Sequence, residues 1–364
     1  MKKKVKIIIS ILIFILLIFA LLFFTISKDK PKTDPITIGV ILPLTGFGSY
    51  SGIPAQKGAI FAVENLDINN VKIIIEDSKG FGNIAVDAAN KLINIDNVDI
   101  LLTTFSSPSI SVGDLANDKN ILHLYSSGTS QPSLTHSNSI KIGDYDYEED
   151  CKILGKYILD QNYTSVAYIY AQVDASLKCI KGIKEVVEDK IKIENYPFET
   201  EKEDFKTIIT KVKNNDYNAI LNCGYEVDNQ RLYNKFIEYE ITTPYICVIG
   251  KEECFLNKLM DIAPEGSISY GIKTMDQEYK KKILEKYPNL NGYEIFAATE
   301  TYDAIQDISY AYNKCESKNK ECIAKELTSS NRKRVIDYTY TKNIIKYNIA
   351  IYKLENKEFI EINN

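Results

Sequence analysis

From Ile36 onward, short apolar runs alternate with amphipathic segments of about ten to eighteen residues. Strands that alternate with helices in this way form parallel sheets, because each helical crossover returns the chain to the same end of the sheet. The predicted strands of a first series are Ile36–Leu42, Val71–Glu76, Ile100–Thr103 and Ile121–Leu124, and those of a second series are Val166–Tyr170, Ile191–Tyr196, Ala219–Asn222 and Tyr245–Ile249. The pattern predicts an α/β fold with two Rossmann-like lobes, each a parallel sheet flanked by helices.

The length of the chain agrees with two lobes. Single hydrophobic cores stop growing near ~250–300 residues, and this chain has 364. We expect lobe 1 to comprise residues 36–143 and 272–331, and lobe 2 residues 144–271 and 332–364. The helical segment Tyr293 to Tyr312 is expected to cover the first sheet, and an antiparallel pair, Val335–Tyr340 with Ile344–Leu354, to be added to lobe 2. The chain would then cross between the lobes three times.

The N-terminus has the pattern of an export signal. Four lysines lie within Met1 to Lys6, and Ile7 to Phe24 is apolar except for Ser10, a run long enough to span a bilayer. No small-residue cleavage site follows it, which favours an uncleaved signal anchor, a transmembrane helix over residues 1–27, with a polar linker at 28–35. A cleaved signal peptide is the alternative. Because lysines flanking such a helix stay in the cytoplasm, the rest of the chain would lie on the extracytoplasmic face of the cell membrane.

Two hydroxyl-rich turns follow neighbouring predicted strands of lobe 1. The first reads FSSPS at 105–109 and the second SSGTS at 126–130. The carboxyl ends of adjacent parallel strands meet at one edge of the sheet, where hydroxyls, backbone N–H groups and a helix N-terminus form a site for a carboxylate or phosphate. Ser106 or Ser107 is expected to cap a helix that has Pro108 in its first turn. The alternative is two ordinary strand-to-helix connections with hydroxyl caps.

Composition and motifs exclude other functions. With 44 basic and 49 acidic residues and no long basic block in the soluble part, the chain lacks the footprint of a nucleic-acid-binding protein. No catalytic triad can be drawn, because His123 is predicted to lie inside the sheet. Neither His123 nor His136 has a second ligand at metal-binding spacing, and the glycine-rich segment GFGSYSG lacks the spacing and lysine of a phosphate loop. We therefore expect no enzyme activity, metal or cofactor.

Seven cysteines in an exported domain leave at least one without a disulfide. Cys315 and Cys322 bracket a polar turn, CESKNKEC, and are expected to pair in an oxidising compartment. Cys223 and Cys247 lie in or near predicted strands and are interpreted as buried apolar residues.

Several segments, in order, carry a family resemblance: IGVILPLTGFGSYSG followed by QKGA, IIIEDSKGFGNIAVDAANKLI, FSSPS, SSGTS, NCGYEVD, VIGKEE and ATETYDAI. With these, the chain from about Ile36 to its end resembles the type I periplasmic binding proteins, specifically the branched-chain amino acid (Leu/Ile/Val) receptor family of ABC-transporter substrate-binding proteins. The resemblance implies two lobes with a ligand cleft between them. It also implies a three-segment hinge near Gly143–Tyr145, Tyr270–Lys273 and Arg332–Val335.

The resemblance also implies a set of ligand-binding residues. In lobe 1, Tyr50 would line the cleft, Ser106 and Ser107 match the serine turn, and Ser127 and Thr129 match the residues that hold the α-carboxylate and amine of the ligand. In lobe 2, Tyr225 matches a cleft tyrosine and Glu252 an acid that pairs with the α-ammonium. Plainer interpretations are a loop cap for Tyr50, a surface tyrosine for Tyr225 and a solvated helix start for Glu252.

The chain departs from the family pattern at two places. The lobe 2 loop that usually carries a tyrosine before glycine reads Ala-Gln-Val-Asp174-Ala-Ser, which makes that wall of the cleft smaller and more acidic, so leucine specificity is not implied. The loop Lys79–Gly82 lacks the cysteine of the usual family disulfide, and Phe105 occupies the other position, so that disulfide is absent.

The resemblance thus implies an extracytoplasmic solute-binding protein that captures a small zwitterionic ligand, an amino acid or related amide, and delivers it to ABC permease subunits. The alternative is a membrane-anchored ligand-sensing receptor domain that is not coupled to transport.

Overall fold

The structure is a computed structural model that describes residues 34–46, 48–66, 70–126, 131–143, 145–200, 204–224, 226–255, 259–329, 334–341 and 343–362. The predicted transmembrane helix over residues 1–27 and most of the linker at 28–35 lie outside these residues. Within the described part of the chain, no helix combines the length and the apolar character that a membrane span needs.

The elements follow the predicted alternation of strands and helices. The strands are β1 Ile36–Leu42, β2 Val71–Asp77, β3 Ile100–Thr104, β4 Leu122–Ser126, β5 Ser139–Gly143, β6 Ser165–Ala171, β7 Lys192–Phe198, β8 Ala219–Cys223, β9 Tyr245–Cys247, β10 Ile268–Ile272, β11 Tyr338–Thr341, β12 Ile344–Tyr347, β13 Ile349–Glu355 and β14 Glu358–Glu361. The helices are α1 Ser49–Asn65, α2 Gly82–Asn94, α3 Ser106–Lys119, α4 Gln131–Thr135, α5 Tyr147–Asp150, α6 Lys152–Asp160, α7 Asp174–Val187, α8 Lys206–Lys213, α9 Glu226–Glu238, α10 Lys251–Cys254, α11 Leu259–Ile262, α12 Gln277–Lys286, α13 Gly292–Cys315 and α14 Lys320–Ser329.

Two seven-stranded sheets form the two lobes. The strand order is β11-β12-β5-β4-β3-β1-β2 in the first sheet and β14-β13-β10-β9-β8-β6-β7 in the second. The five strands β1 to β5 are parallel, as are the five strands β6 to β10. Helices cover both faces of a parallel sheet, so its central strands read as nearly continuous apolar runs. This explains why the first four strands could be placed from the sequence to within two residues at each end.

The first sheet is buried between two helical layers. On one face α1 and α13 pack against apolar residues of β1, β3, β4 and β5. On the other face α2 and α3 present alanines to Ile41 and Leu101. Gly58 permits the contact between α1 and α13, because a Cβ atom there would lie 1.8 Å from the carbonyl oxygen of Ala298. The prediction that the segment Tyr293 to Tyr312 covers the first sheet is confirmed.

The last strands divide between the lobes, which corrects one expectation. The pair β11 and β12 joins the first sheet, where β12 lies beside β5, and only β13 and β14 join the second. The apolar run 344–354, read as one strand, is interrupted at Asn348. The backbone N–H of Asn348 donates to the carbonyl of Asp337 at 3.0 Å, and its carbonyl accepts from the N–H of Lys273 at 2.8 Å.

Consequently the third crossing between the lobes lies at Asn348 and not at Arg332–Val335. The other two crossings follow β5 and β10, as expected. The segment that starts at Arg334 touches the hinge, where Ile336 forms an isolated bridge with Met275, but it continues into the first sheet. Hydrogen bonding at Asn348 decided this and is not visible in the apolar pattern.

Candidate functional site

Two buried hydroxyls lie side by side at the carboxyl edge of the first sheet. Thr104 ends β3 and Ser126 ends β4, and the two residues are register partners. Both side chains are buried, and neither hydroxyl oxygen has a hydrogen-bond partner in the described part of the chain. A buried polar group without a partner costs about 1–3 kcal/mol, so a polar ligand atom would stabilise both. Sequence reasoning did not single out Thr104; its position directly before FSSPS was the available signal.

The serine turn at residues 105–109 does not cap its own helix but forms a hydrogen bond to the first turn of α2. Helix α3 begins at Ser106, but its N-cap is Phe105 and no side chain caps it, so the expected cap by Ser106 or Ser107 is wrong. Instead, the hydroxyl of Ser107 accepts a hydrogen bond from the N–H of Gly82 at 3.2 Å. That N–H belongs to the first turn of α2, where backbone donors need an outside acceptor. Ser106 is half-buried and Ser107 is exposed, and Pro108 lies in the first turn of α3 as predicted.

Aromatic rings form one wall at this edge. The ring of Tyr50 lies 6.5 Å from that of Phe105 and 5.5 Å from that of Tyr293. Gly48 is needed beneath them: its φ is 94°, and a Cβ atom would lie 2.8 Å from the Phe105 ring. Tyr50 is half-buried and packs against a core cluster that runs from lobe 2 to Tyr293 and Phe296 of α13 in lobe 1, which favours a position near the junction of the lobes over a simple loop cap.

Glu252 is a buried carboxylate, not part of a solvated helix start. Its side chain is 8% exposed. One carboxylate oxygen accepts a hydrogen bond from the hydroxyl of Tyr145, and the other contacts the ammonium of Lys251. A carboxylate can accept about four hydrogen bonds, so acceptor capacity remains for a second cation. The side chain is therefore already oriented before any ligand binds.

The hinge surrounds Glu252 with aromatic side chains. The ring of Tyr145 stacks on that of Phe296 at 5.6 Å and meets that of Tyr270 edge-on at 5.0 Å. A cavity of about 380 Å³ lies beside these residues, and its lining includes Lys251, Glu252, Phe255, Tyr293 and Phe296. Lobe 1 and lobe 2 both contribute to this cavity.

The sequence of this chain matches a known protein family. The sequence model of the periplasmic binding protein family matches residues 35–329. The chain belongs to the periplasmic binding proteins. The family and its fold are those of substrate-binding proteins, not enzymes, and they imply an extracytoplasmic location.

Three known proteins are similar to this periplasmic binding protein. The chain is 27% identical over 209 residues to the Leu/Ile/Val-binding protein BraC3 of Rhizobium johnstonii, a match that covers 52% of this chain and 54%, about half, of that curated relative. A branched-chain amino acid transporter substrate-binding protein, LivJ of Streptococcus pneumoniae, solved with isoleucine, superimposes with a TM-score of 0.75 at 18% identity, covering 90% of this chain and 98% of that one. A solute-binding protein of Rhodopseudomonas palustris, solved with 3,4-dihydroxybenzoic acid, gives a TM-score of 0.78 at 16% identity, covering 90% and 96%. The two structural matches establish the type I two-lobe fold.

Three predicted ligand residues of the binding protein, Ser127, Thr129 and Tyr225, lie outside the described residues and remain predictions. In the sequence, Ser127 and Thr129 come after Ser126, the last residue of β4, and Tyr225 comes two residues after the end of β8. Asp174, which was expected to make one cleft wall acidic, starts α7 and pairs with Lys178 at 2.8 Å.

His123 of the binding protein lies inside the first sheet, as predicted. Its ring nitrogens lie 2.8 Å from the hydroxyl of Thr103 and 3.2 Å from that of Ser139. Burial lowers the pKa of His123 to about 3, because desolvation disfavours the charged imidazole. The ring is therefore neutral near pH 7 and forms part of a buried polar network.

The predicted disulfide between Cys315 and Cys322 is confirmed. Cys247 is buried in the core, as expected, and it also forms a disulfide with Cys254, which the sequence analysis did not predict. A third disulfide joins Cys151 and Cys179, which are 28 residues apart. Cys223 is a buried free thiol, and its sulfur accepts a hydrogen bond from the hydroxyl of Ser176 at 3.0 Å.

Proposed function

We propose that this periplasmic binding protein captures a zwitterionic amino acid between its lobes. The observation that carries the proposal is that each sheet has a different kind of polar group at its carboxyl edge. Lobe 1 offers the partnerless buried hydroxyls of Thr104 and Ser126, and lobe 2 offers the buried carboxylate of Glu252. Hydroxyls beside a helix N-terminus suit an α-carboxylate, and a carboxylate suits an α-ammonium.

The site residues predicted from the sequence have stated roles in this proposal. Tyr50 would cover the side chain of the ligand, Ser127 and Thr129 would extend the hydroxyl row that Ser126 begins, and Tyr225 would close the cleft from lobe 2. Ser106 would offer its backbone N–H at the start of α3. Ser107 would act mainly by fixing α2 through Gly82.

A second candidate ligand is an aromatic carboxylate. Lys251 partly neutralises Glu252, and the cavity beside them is lined by aromatic rings. The solute-binding protein of Rhodopseudomonas palustris, which has a similar fold, was solved in complex with 3,4-dihydroxybenzoic acid. Such a ligand would use the hydroxyl edge of lobe 1 but would not need the charge of Glu252.

The first experiment is a thermal-shift screen against amino acids, their amides and benzoates, since a cleft ligand stabilises the folded state by mass action. Calorimetric titration of Glu252→Gln with the best ligand then separates the candidates. Removing one partner of a buried charge pair costs ~2–5 kcal/mol, or roughly thirty-fold to several-thousand-fold in affinity. Ser107→Ala should cost about 1 kcal/mol or less. Glu185→Gln, at an exposed carboxylate of the same lobe, is the matched control and should change nothing.

An amino acid that binds Glu252→Gln as tightly as wild type would contradict the zwitterion assignment. Tight binding of benzoates alone, unaffected by that substitution, would instead support the aromatic carboxylate.

We further propose that the protein is held at the extracytoplasmic face of the membrane by its N-terminal helix and delivers its ligand to ABC permease subunits. The apolar run from Ile7 to Phe24 without a cleavage site supports anchoring. Mass spectrometry of membrane-recovered protein should find Met1–Phe24 retained, whereas a mature N-terminus near Lys28 would contradict it. Uptake of labelled ligand should fall when the gene is deleted; unchanged uptake would favour the sensory receptor.

A further inference from the structure

Glu252 lies in a helical segment that cannot stabilise itself. Helix α10 comprises four residues, Lys251–Cys254. A single turn is unstable alone, because nucleating a helix fixes several residues for very few hydrogen bonds. The position of the Glu252 carboxylate must therefore be set by bonds from outside the helix.

The Cys247–Cys254 disulfide supplies such a bond. It joins the end of β9 to the end of α10 across a sequence separation of 7 and so encloses the whole segment that carries Glu252. Both ends of the segment are held in place. At one end, β9 lies between β8 and β10 in the sheet. At the other end, the carbonyl of Cys254 accepts hydrogen bonds from the hydroxyl of Tyr233 at 3.3 Å and from the side-chain amide of Asn229 at 3.4 Å.

A second disulfide lies under the start of the same loop. The sulfur atoms of Cys151 and Cys179 are 3.2 and 3.4 Å from the carbonyl oxygen of Val248, the first residue after Cys247. This disulfide joins the start of α6 to α7. Val248 therefore packs against two helices that are covalently linked.

The middle of the loop packs closely against Tyr145 and Gly271. Gly250 has a φ of 92°, and a Cβ atom there would lie 2.6 Å from the ring of Tyr145. The stem of Lys251 lies against Gly271, where a Cβ atom would be 2.5 Å from its Cγ and Cε. These contacts direct Tyr145 and Lys251 onto the two oxygens of Glu252.

We propose that the Cys247–Cys254 disulfide is a positioning element for ligand binding: it holds Glu252 in its binding orientation, and without it affinity falls more than fold stability alone explains. The inference rests on the proposed function of Glu252. Ordering a freed side chain and its loop on binding should weaken affinity about ten-fold or more.

The chain contains a matched control for this test. Cys315–Cys322 has the same sequence separation of 7 but joins α13 to α14 in lobe 1. Loops of equal size contribute similarly to stability in the chain-entropy description. The double variants Cys247→Ala/Cys254→Ala and Cys315→Ala/Cys322→Ala should therefore both lower Tm, the first by more because Cys247 and Cys254 are also buried in the core, while only the first should lower ligand affinity.

Two further measurements separate positioning from general loosening. In the Glu252→Gln background, removing Cys247–Cys254 should have little further effect on affinity, because the positioned group is already lost. Hydrogen exchange of unliganded protein should speed up at residues 248–254 in the first double variant and not in the control. If the alanine variant does not fold, Cys247→Val/Cys254→Ala fills more of the vacated space.

The inference is overturned if the folded Cys247→Ala/Cys254→Ala variant binds the ligand as tightly as wild type while Glu252→Gln binds it weakly. The proposed function would then still stand. An equal loss of affinity in both Glu252 backgrounds, or unchanged exchange at residues 248–254, would also overturn the inference. If Glu252→Gln itself binds as tightly as wild type, the proposed function fails, and the positioning role fails with it.

Discussion

A buried ionic cluster beside the hinge makes a quantitative prediction possible. Arg334 is 1% exposed, and its Nε lies 3.7 Å from Asp303 and 3.4 Å from Asp307, whose side chains are 0% and 1% exposed. Arg334 also donates to the carbonyl of Ile142 at the end of β5 at 2.7 Å. Asp303 accepts the N–H of Val335 at 2.9 Å. The cluster thus joins α13, β5 and the segment that passes the hinge.

The cluster contains two carboxylates and one guanidinium, so substitutions of opposite charge should differ in effect. Arg334→Met leaves two buried carboxylates without their cation, and the free energy of unfolding should fall by about 3–5 kcal/mol. Asp303→Asn balances the charge and keeps an oxygen for the N–H of Val335. Burial raises the pKa of Asp303 to about 6, which means that its ionised form is already disfavoured, and we expect a change within about 1 kcal/mol near pH 7.

The pH dependence tests the same reasoning. A carboxyl whose pKa is higher in the folded than in the unfolded state contributes stability that is present below pH 3.8 and is lost as pH rises through the folded value. Without Arg334, whose charge lowers the pKa of Asp303, the folded value rises further. The deficit of Arg334→Met should therefore be smaller at pH 5 than at pH 7.

Urea unfolding of wild type, Arg334→Met and Asp303→Asn at both pH values measures these differences. The reasoning is refuted if Arg334→Met costs less than about 1 kcal/mol, if Asp303→Asn costs as much as Arg334→Met, or if the deficit does not depend on pH.

Two further predictions concern the core of lobe 1. Gly58→Ala should lower the free energy of unfolding by about 3 kcal/mol, because α1 must move away from the backbone of Ala298. Gly292→Ala, where no atom lies within 4 Å of the added carbon, is its control and should be neutral or slightly stabilising; equal effects would contradict the packing argument. Because the pKa of His123 is lowered in the folded state, the stability that the neutral ring contributes is fully present above pH 6.5 and is lost as pH falls towards 3. The stability difference between wild type and His123→Gln should therefore shrink by about 2 kcal/mol from pH 7 to pH 5, and a constant difference in urea unfolding would contradict it.

The family resemblance singled out residues of the candidate site, but the contacts around them could not be predicted. Family resemblance predicted Glu252 and Tyr50 as ligand-binding residues. In the structure the Glu252 side chain is buried, and the Tyr50 ring contacts other aromatic rings. Thr104 was missed, and the partner that orients Glu252, Tyr145, lies 107 residues away along the chain. Sequence separation of that size carries no local signal, because the contact exists only once both lobes and the hinge have formed.

The sequence by itself determined the type and order of the elements. Strands such as β1 and β6 are short apolar runs, and helices such as α2 have an apolar face, so local periodicity was enough to predict two α/β lobes. The Cys315–Cys322 pair could also be predicted, because both cysteines lie at the ends of one short turn. Only the tertiary structure decided which distant elements meet: Cys151 with Cys179, β12 with the first sheet, and the crossing at Asn348. Those choices depend on packing and on buried hydrogen bonds between segments far apart in the chain, which a one-dimensional pattern does not contain.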